Sequence, residues 1–367
     1  MRRRILALSP IPEEGAGCRF RVSQFAPHLS RAGFDLTIHP LFDTAFFRLV
    51  YKPGHYLRKT MALVTRTLDR IATVRAGREF DAVLIYREAY PIGPPLIERL
   101  LARRGLPIVY DFDDAVFLPN TSEANQAIGS LKNPGKVAEI LRLSTHVMAG
   151  NSYLADYARS HAREVTIVPT CVDTNVWRPR SSPRPSGAPL VVGWIGTPTT
   201  TQYLLELKPV FADVARTHDF VLRVSGSMGP VDIPGVRVEN VPWTLAGEVE
   251  LFNTCDIGVY PLPDDEWTRG KCGFKAIQFM ACGVPVIASP VGVNREIVTH
   301  RADGLLATNQ AEWAAGLREL LDDSQLRARL GAAGRQTIER RYSLEANAPT
   351  LVSVFQQVTA DVRRRAS

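Results

Sequence analysis

Short apolar runs bounded by turn-forming residues alternate along the chain with longer amphipathic stretches, a rhythm that predicts repeated strand–helix units and parallel sheets. In the first half, strands are expected at 4–10, 34–42, 81–87, 107–113, 145–151 and 165–170, with helices over 19–33 and 95–105. Residues 177–189 then hold four prolines and four serine or glycine residues in thirteen positions with no apolar period, so a linker is expected, set at 179–189. The rhythm restarts with strands at 190–196, 220–226, 236–242, 256–262, 285–290 and 304–308 and helices near 201–216, 245–254 and 274–282. The remainder reads as helical, broken by glycine and proline. The expected architecture is α/β, with doubly wound domains at 1–178 and 190–345 and a C-terminal helix at 346–367. Ligands of open α/β sheets bind beyond the carboxyl ends of the strands, so the site is expected in those loops, in a cleft between two such domains.

Composition narrows the class. With 45% hydrophobic and 22% charged residues the chain is globular, and its 367 residues suit two or three domains. No run approaches the roughly 18 to 20 apolar residues of a membrane helix, and MRRRILALSPIPEEG is too short in apolar length for an export leader. Five scattered cysteines (Cys18, Cys171, Cys255, Cys272, Cys282) point to a reducing cytoplasm and no structural metal. The net charge of +7 is carried by residues 1–178, and residues 45–78 alone supply as much. There Arg48, Lys52, Arg58, Lys59, Arg66, Arg70, Arg75 and Arg78 stand against Asp69, interleaved with Phe46, Phe47, Leu49, Tyr51, Tyr56 and Leu57. Such a stretch suits an anionic membrane surface at the inner face or a phosphate-bearing acceptor, or is a solvated face; no nucleic-acid recognition motif accompanies it.

Three loops carry candidate chemistry. Gly15 and Gly17 precede a helix after the first strand, where amides favour an anion, although the third glycine of a dinucleotide fingerprint is replaced by Phe20; a tight turn is the other reading. Asp111, Asp113 and Asp114 end the fourth strand, as Arg87 and Glu88 end the third. The aspartates could hold a metal, cap structure or face an acceptor; the Arg87–Glu88 step could be an ordinary ion pair. In RGKCGFKAIQFMACGVPVIASPVGVNREIV (269–298), Lys271 and Lys275, two of only seven lysines, flank Gly273 where a helix should start. Amides and two ammonium groups at one spot suit a diphosphate leaving group, and Gln278 lies three residues on, on the same helix face. A basic helix start with a solvated Gln278 is the plainer reading.

The run from Gly270 through Ser289, with MACGVPVIAS at its centre, resembles the donor-site signature of glycosyltransferase family 4, the retaining glycosyl transferases group 1 enzymes. The likeness extends to IVPTCVDTNVWRP (167–179), VGWIGTPTT (192–200), DIGVYPLPD (256–264) and PVGVNREIV, and is only general in the first half. It implies a GT-B fold of two Rossmann-like domains, a nucleotide sugar held mainly by the second, no metal or other cofactor, and a saccharide or lipid-linked acceptor in envelope or exopolysaccharide synthesis. It implies Gln278 at the ribose, in the place of the family's second glutamate; Lys271, Lys275 and Gly273 are assigned to the diphosphate, Gly196, Thr197 and Glu296 also to the donor, and Trp243 to the base, an aromatic after a strand being otherwise a core residue. Gly15, Gly17, Arg87, Glu88, Asp113 and Asp114 fall to the acceptor side. The family's paired glutamates align with Gly270 and Gln278, and its basic residue after the first strand of the second domain is replaced by Thr197, Thr199 and Thr200. A non-catalytic nucleotide-sugar binder and a sugar-nucleotide epimerase are the rival readings.

Overall fold

The computed structural model describes residues 2–50, 54–75, 79–119, 133–182, 184 and 187–366. Six parallel strands form the first sheet: β1 (Arg3–Ser9), β2 (Phe34–Pro40), β3 (Ala82–Tyr86), β4 (Ile108–Phe112), β5 (His146–Ala149) and β6 (Val165–Ile167), in the order β2-β1-β3-β4-β5-β6. β3, β4 and β5 are buried along their whole length, as strands covered on both faces must be. The second sheet repeats the plan with β7 (Leu190–Ile195), β8 (Phe220–Ser225), β9 (Arg237–Val241), β10 (Ile257–Tyr260), β11 (Val286–Ala288) and β12 (Leu305–Leu306), ordered β12-β11-β10-β7-β8-β9. Its core joins Trp194, Phe211, Leu222 and Leu317.

Each expected strand is present and ends earlier than expected, its last expected residues turning into loop, while the first strand begins one residue earlier, at Arg3. Two expected helices are broken. The 19–33 segment forms Ala16–Arg21, a tight turn at Ser23–Phe25 and Ala26–Arg31, because Val22 is not helical and Pro27 lacks the amide a continuous helix needs. The 201–216 segment likewise splits into Thr201–Leu205 and Lys208–Val214, the second opening on Pro209.

The compact units are Met1–Thr170 with Asn347–Ser367, and Cys171–Ala346. The expected boundary at 178 therefore moves to 170, and the expected linker 179–189 belongs with the second unit. Arg180 and Arg184 pair with Asp256, which also accepts the Val191 amide at 2.8 Å, and Arg335 donates to the carbonyls of Thr174, Trp177 and Ala281. Pro183, Pro185 and Ser186 of that stretch lie outside the described residues. The last helix, Leu344–Ala366, returns to the first unit, where Phe355 meets Phe34 and Thr359 accepts from Arg3.

Candidate functional site

In the second unit the expected donor segment forms a turn between two helices, Glu266–Arg269 and Phe274–Ala281. Gly273 sits at the join with φ +63°, a left-handed conformation that disfavours a side chain. A Cβ there would lie 2.2 Å from Ile297 Cδ1 and 2.9 Å from Asn294 Oδ1, so the helix Asn294–Ile297 closes against this turn. Only glycine satisfies both conditions, and the first amides of Phe274–Ala281 are thereby presented at a helix start.

The lysines of this turn part company. Lys271 Nζ lies over the Trp267 ring at 5.7 Å, whereas Lys275 Nζ lies over Phe252 at 5.2 Å and donates to Gln278 Oε1 at 2.7 Å. Gln278 is fully buried, and its amide nitrogen is 3.4 Å from Glu248 Oε1. The helix-face pairing of Lys275 with Gln278 is thus present, and Gln278 is enclosed rather than solvated. Glu296 is exposed on the helix Asn294–Ile297, and its carbonyl accepts from Arg341 at 3.0 Å.

Two further post-strand loops meet on the same sheet edge. Gly196 follows β7, and Gly226, after β8, approaches so closely that a Cβ on it would lie 2.2 Å from the Gly196 carbonyl oxygen. Thr197 and Thr200 cap one another, the Thr197 amide donating to Thr200 Oγ1 at 3.0 Å. Trp243, after β9, is 38% exposed, with Met228 and Leu245 also exposed, so it is no part of the core. Asn294 escaped the sequence reading. Its Nδ2 donates to the Ser289 carbonyl at 3.0 Å while its buried Oδ1 has no partner among the described residues. It lies five residues after MACGVPVIAS, and nothing local marks its amide as unpartnered.

In the first unit a second constellation forms at the carboxyl edge. Arg87 takes φ +59°, an uncommon conformation for a side-chain-bearing residue and a local strain. From there its Nε donates to Asp113 Oδ1 at 2.7 Å and its Nη2 to Asp114 Oδ2 at 2.5 Å, while Tyr86 Oη donates to Asp113 Oδ1 at 2.9 Å. Gly17 allows this, since a Cβ there would lie 2.1 Å from Tyr86 Oη. Gly15 caps the helix Ala16–Arg21 with its backbone, its own Cβ position blocked by Ile11. Burial pushes the Asp113 carboxyl upward, but Arg87 and Arg21 more than offset it and hold the group below the usual carboxylate range. Asp111 is different. It is enclosed with Arg21, whose Nε donates to it at 3.0 Å, and burial raises its pKa despite that guanidinium. Arg87 and Glu88 each take other partners, since Glu88 pairs with Lys136 at 2.7 Å.

Comparison with known proteins follows this geometry. Residues 190–323 match the family model described as Glycosyl transferases group 1. A D-inositol 3-phosphate glycosyltransferase from Stackebrandtia nassauensis is 27% identical over 261 residues, 63% of this chain and 56% of that protein. The chain spans 20% to 62% of the length of the curated relatives of that name that it matches. Among solved structures, sucrose-phosphate synthase from Thermosynechococcus elongatus superposes with a TM-score of 0.70 at 17% identity, covering 98% of this chain and 100% of that one. Anabaena Alr3699/HepE in complex with UDP and glucose gives 0.69 at 16%, covering 97% and 100%. The chain has the GT-B fold of two Rossmann-like domains, and its residues 190–323 are similar to the domain described as Glycosyl transferases group 1.

Proposed function

We propose that this protein is a retaining glycosyltransferase of family 4 that moves a sugar from a nucleoside-diphosphate sugar to a hydroxyl of a saccharide or lipid-linked saccharide. The observation that carries the reading is the Gly273 turn, which presents helix amides beside Lys275, an ammonium held by the neutral amide of Gln278. Backbone donors and preorganised cations are what a departing diphosphate requires. Lys271, Lys275 and the Gly273 turn are assigned to the diphosphate, and Gly196, Thr197, Glu296 and Trp243 to the rest of the donor. Gln278 is enclosed, so it acts by positioning Lys275. The relatives' names support the class, and one structural neighbour holds UDP and glucose.

Gly15, Gly17, Arg87, Glu88, Asp113 and Asp114 are assigned to the acceptor side. No metal enters this reading, because Asp111, Asp113 and Asp114 are each engaged by an arginine. The test is a panel of nucleoside-diphosphate sugars, with and without lipid and saccharide extracts, read by mass spectrometry with EDTA or manganese present. Transfer unaffected by EDTA is expected. Failure to transfer any donor overturns the enzymatic reading, and isomerised donor without acceptor would identify an epimerase.

A lipid-linked acceptor is favoured by one helix. Tyr56–Arg75 turns Thr67 and the buried Arg70 inward, to Tyr90 Oη at 3.1 Å and the Ser9 carbonyl at 2.9 Å. Leu57, Met61, Val64 and Leu68 recur at helical spacing on its exposed side, Leu57 being 83% exposed, beside Arg58, Lys59 and Arg66. An apolar stripe turned to solvent with basic neighbours suits an anionic bilayer surface. Tyr51, Lys52 and Arg78 of the basic stretch lie outside the described residues, as do the side chains of Arg48 and Tyr56. No helix among the described residues is long and apolar enough to cross a membrane. Sedimentation with anionic but not neutral liposomes is expected, and its loss in a Leu57→Ser, Met61→Ser variant. Equal sedimentation of the two proteins removes the helix from the reading.

A further inference from the structure

A cavity of about 380 Å³ opens in the second unit away from the Gly273 turn, lined in part by four arginines. Its strand residues include Val191 and Val221, second in β7 and β8, and Arg237, first in β9. It therefore reaches the amino ends of strands whose opposite ends lead to Gly196 and Gly226. Arg180 and Arg184 arrive from the segment before β7, and Arg223 and Arg237 from the sheet itself.

Guanidinium donors exceed the acceptors offered to them here. Asp256 serves both Arg180, at 3.2 Å, and Arg184, and Glu239 serves both Arg223, at 2.6 Å, and Arg237, at 3.6 Å, while Arg184 also donates to the Pro189 carbonyl, Arg223 to that of Thr254 at 3.5 Å, and Glu250 is the other carboxylate of the lining. Arg184 Nε is buried without an acceptor among the described residues. Burial, with Arg180, Arg327 and Arg223 nearby, holds the Arg184 pKa below its ordinary value, the mark of a cation among cations. On another wall Asn253, 9% exposed at the end of the helix Glu248–Asn253, has a buried Oδ1 with no donor among the described residues. Surplus planar donors thus share a cavity with an unanswered amide oxygen.

We propose that this cavity binds a phosphorylated, hydroxyl-bearing small molecule, its phosphate on the arginines and a hydroxyl donating to Asn253 Oδ1. Arginine forks match phosphate oxygens in pairs, a buried acceptor without a donor is costly, and the volume suits a ligand of sugar-phosphate size. The proposal does not depend on the donor assignment, since none of its residues is placed at the Gly273 turn.

The test is calorimetric titration of the full chain with glucose 6-phosphate, with glucose as the neutral control. Saturable binding is expected for the phosphate ester alone. Asn253→Asp and Arg237→Glu should each weaken it by about tenfold or more, the scale of losing one charge-assisted contact. Arg237 is 63% exposed in its side chain, so its replacement leaves the Asp256 pairs in place and provides a variant that folds. Lys275→Ala should bind as the native chain does. Absence of binding, native-like binding by either cavity variant, or loss in Lys275→Ala, which would put the ester in the donor site, overturns the proposal.

Discussion

Both sheets end in loops that hold charge, and they hold it with different contacts. In the first unit, cation and carboxylate answer one another: Arg21 meets Asp111, Arg87 meets Asp113 and Asp114, and Lys136 meets Glu88. In the second, the Lys275 ammonium donates to a neutral amide, Gln278, and lies over the ring of Phe252. A self-neutralised edge offers shape and hydrogen bonds. On the second edge an amide oxygen and an aromatic ring, neither of them an ion, help to set the place of the ammonium. The same sheet topology thus supports two kinds of recognition, and the difference lies in what each cation is paired with.

That contrast can be broken first at its most enclosed pair. Arg21 and Asp111 are 2% and 0% exposed, so Arg21→Met strands a buried carboxylate and should lower stability by about 3–5 kcal/mol. Urea denaturation followed by circular dichroism reads this, and a loss under 1 kcal/mol would show that the first edge does not rely on matched charge. On the second edge, Lys275→Ala should leave the fold intact and lower kcat by about 10²-fold, the scale of one preorganised electrostatic contact. Gln278→Leu should produce a smaller loss in the same direction, since it removes the group that holds the ammonium, along with the contact to Glu248, and leaves the ammonium itself. If Gln278→Leu proves the more damaging, the glutamine contacts substrate itself.

Arg87 allows a sharper separation of strain from charge. Arg87→Gly relieves the left-handed backbone but removes both carboxylate contacts, so a net loss of about 1–3 kcal/mol is expected, with Arg87→Ala worse than Arg87→Gly by about 1 kcal/mol. Equal loss in the two variants would mean that the turn is not strained. The smallest effect concerns pH. Asp113 has its pKa lowered in the folded state, so its stabilisation is present above the ordinary carboxylate value of about 4 and fades as pH falls through the lowered value. The stability difference between the native chain and Asp113→Asn should therefore be largest above pH ~5 and shrink toward pH 3, when followed by denaturant titration.

Strand positions were legible because apolar runs in a parallel sheet are nearly continuous and end at turn residues. The Gly273 turn was legible as well, since a glycine flanked by scarce lysines before an apolar helix has few other readings. The interruption of 19–33 was less so, because amphipathic spacing survives a break that only backbone geometry reveals at Val22. Asn294 was invisible for a different reason: an unpartnered amide oxygen is a property of neighbours, here the turn at Gly273, 21 positions earlier in the chain.

The sequence by itself determined the two α/β repeats, the location of the excess charge and the segment where an anion would be met, all of which depend on residues close together along the chain. Tertiary structure alone decided what each charge meets. Lys271 and Lys275 look equivalent in sequence, yet one lies over Trp267 and the other is held by Gln278. The prolines of 179–189 read as a spacer, yet Arg180 and Arg184 tie that stretch to Asp256, some 70 residues further along. Pairing energy depends on distance and burial between groups far apart in the chain, and neither quantity is written in local periodicity.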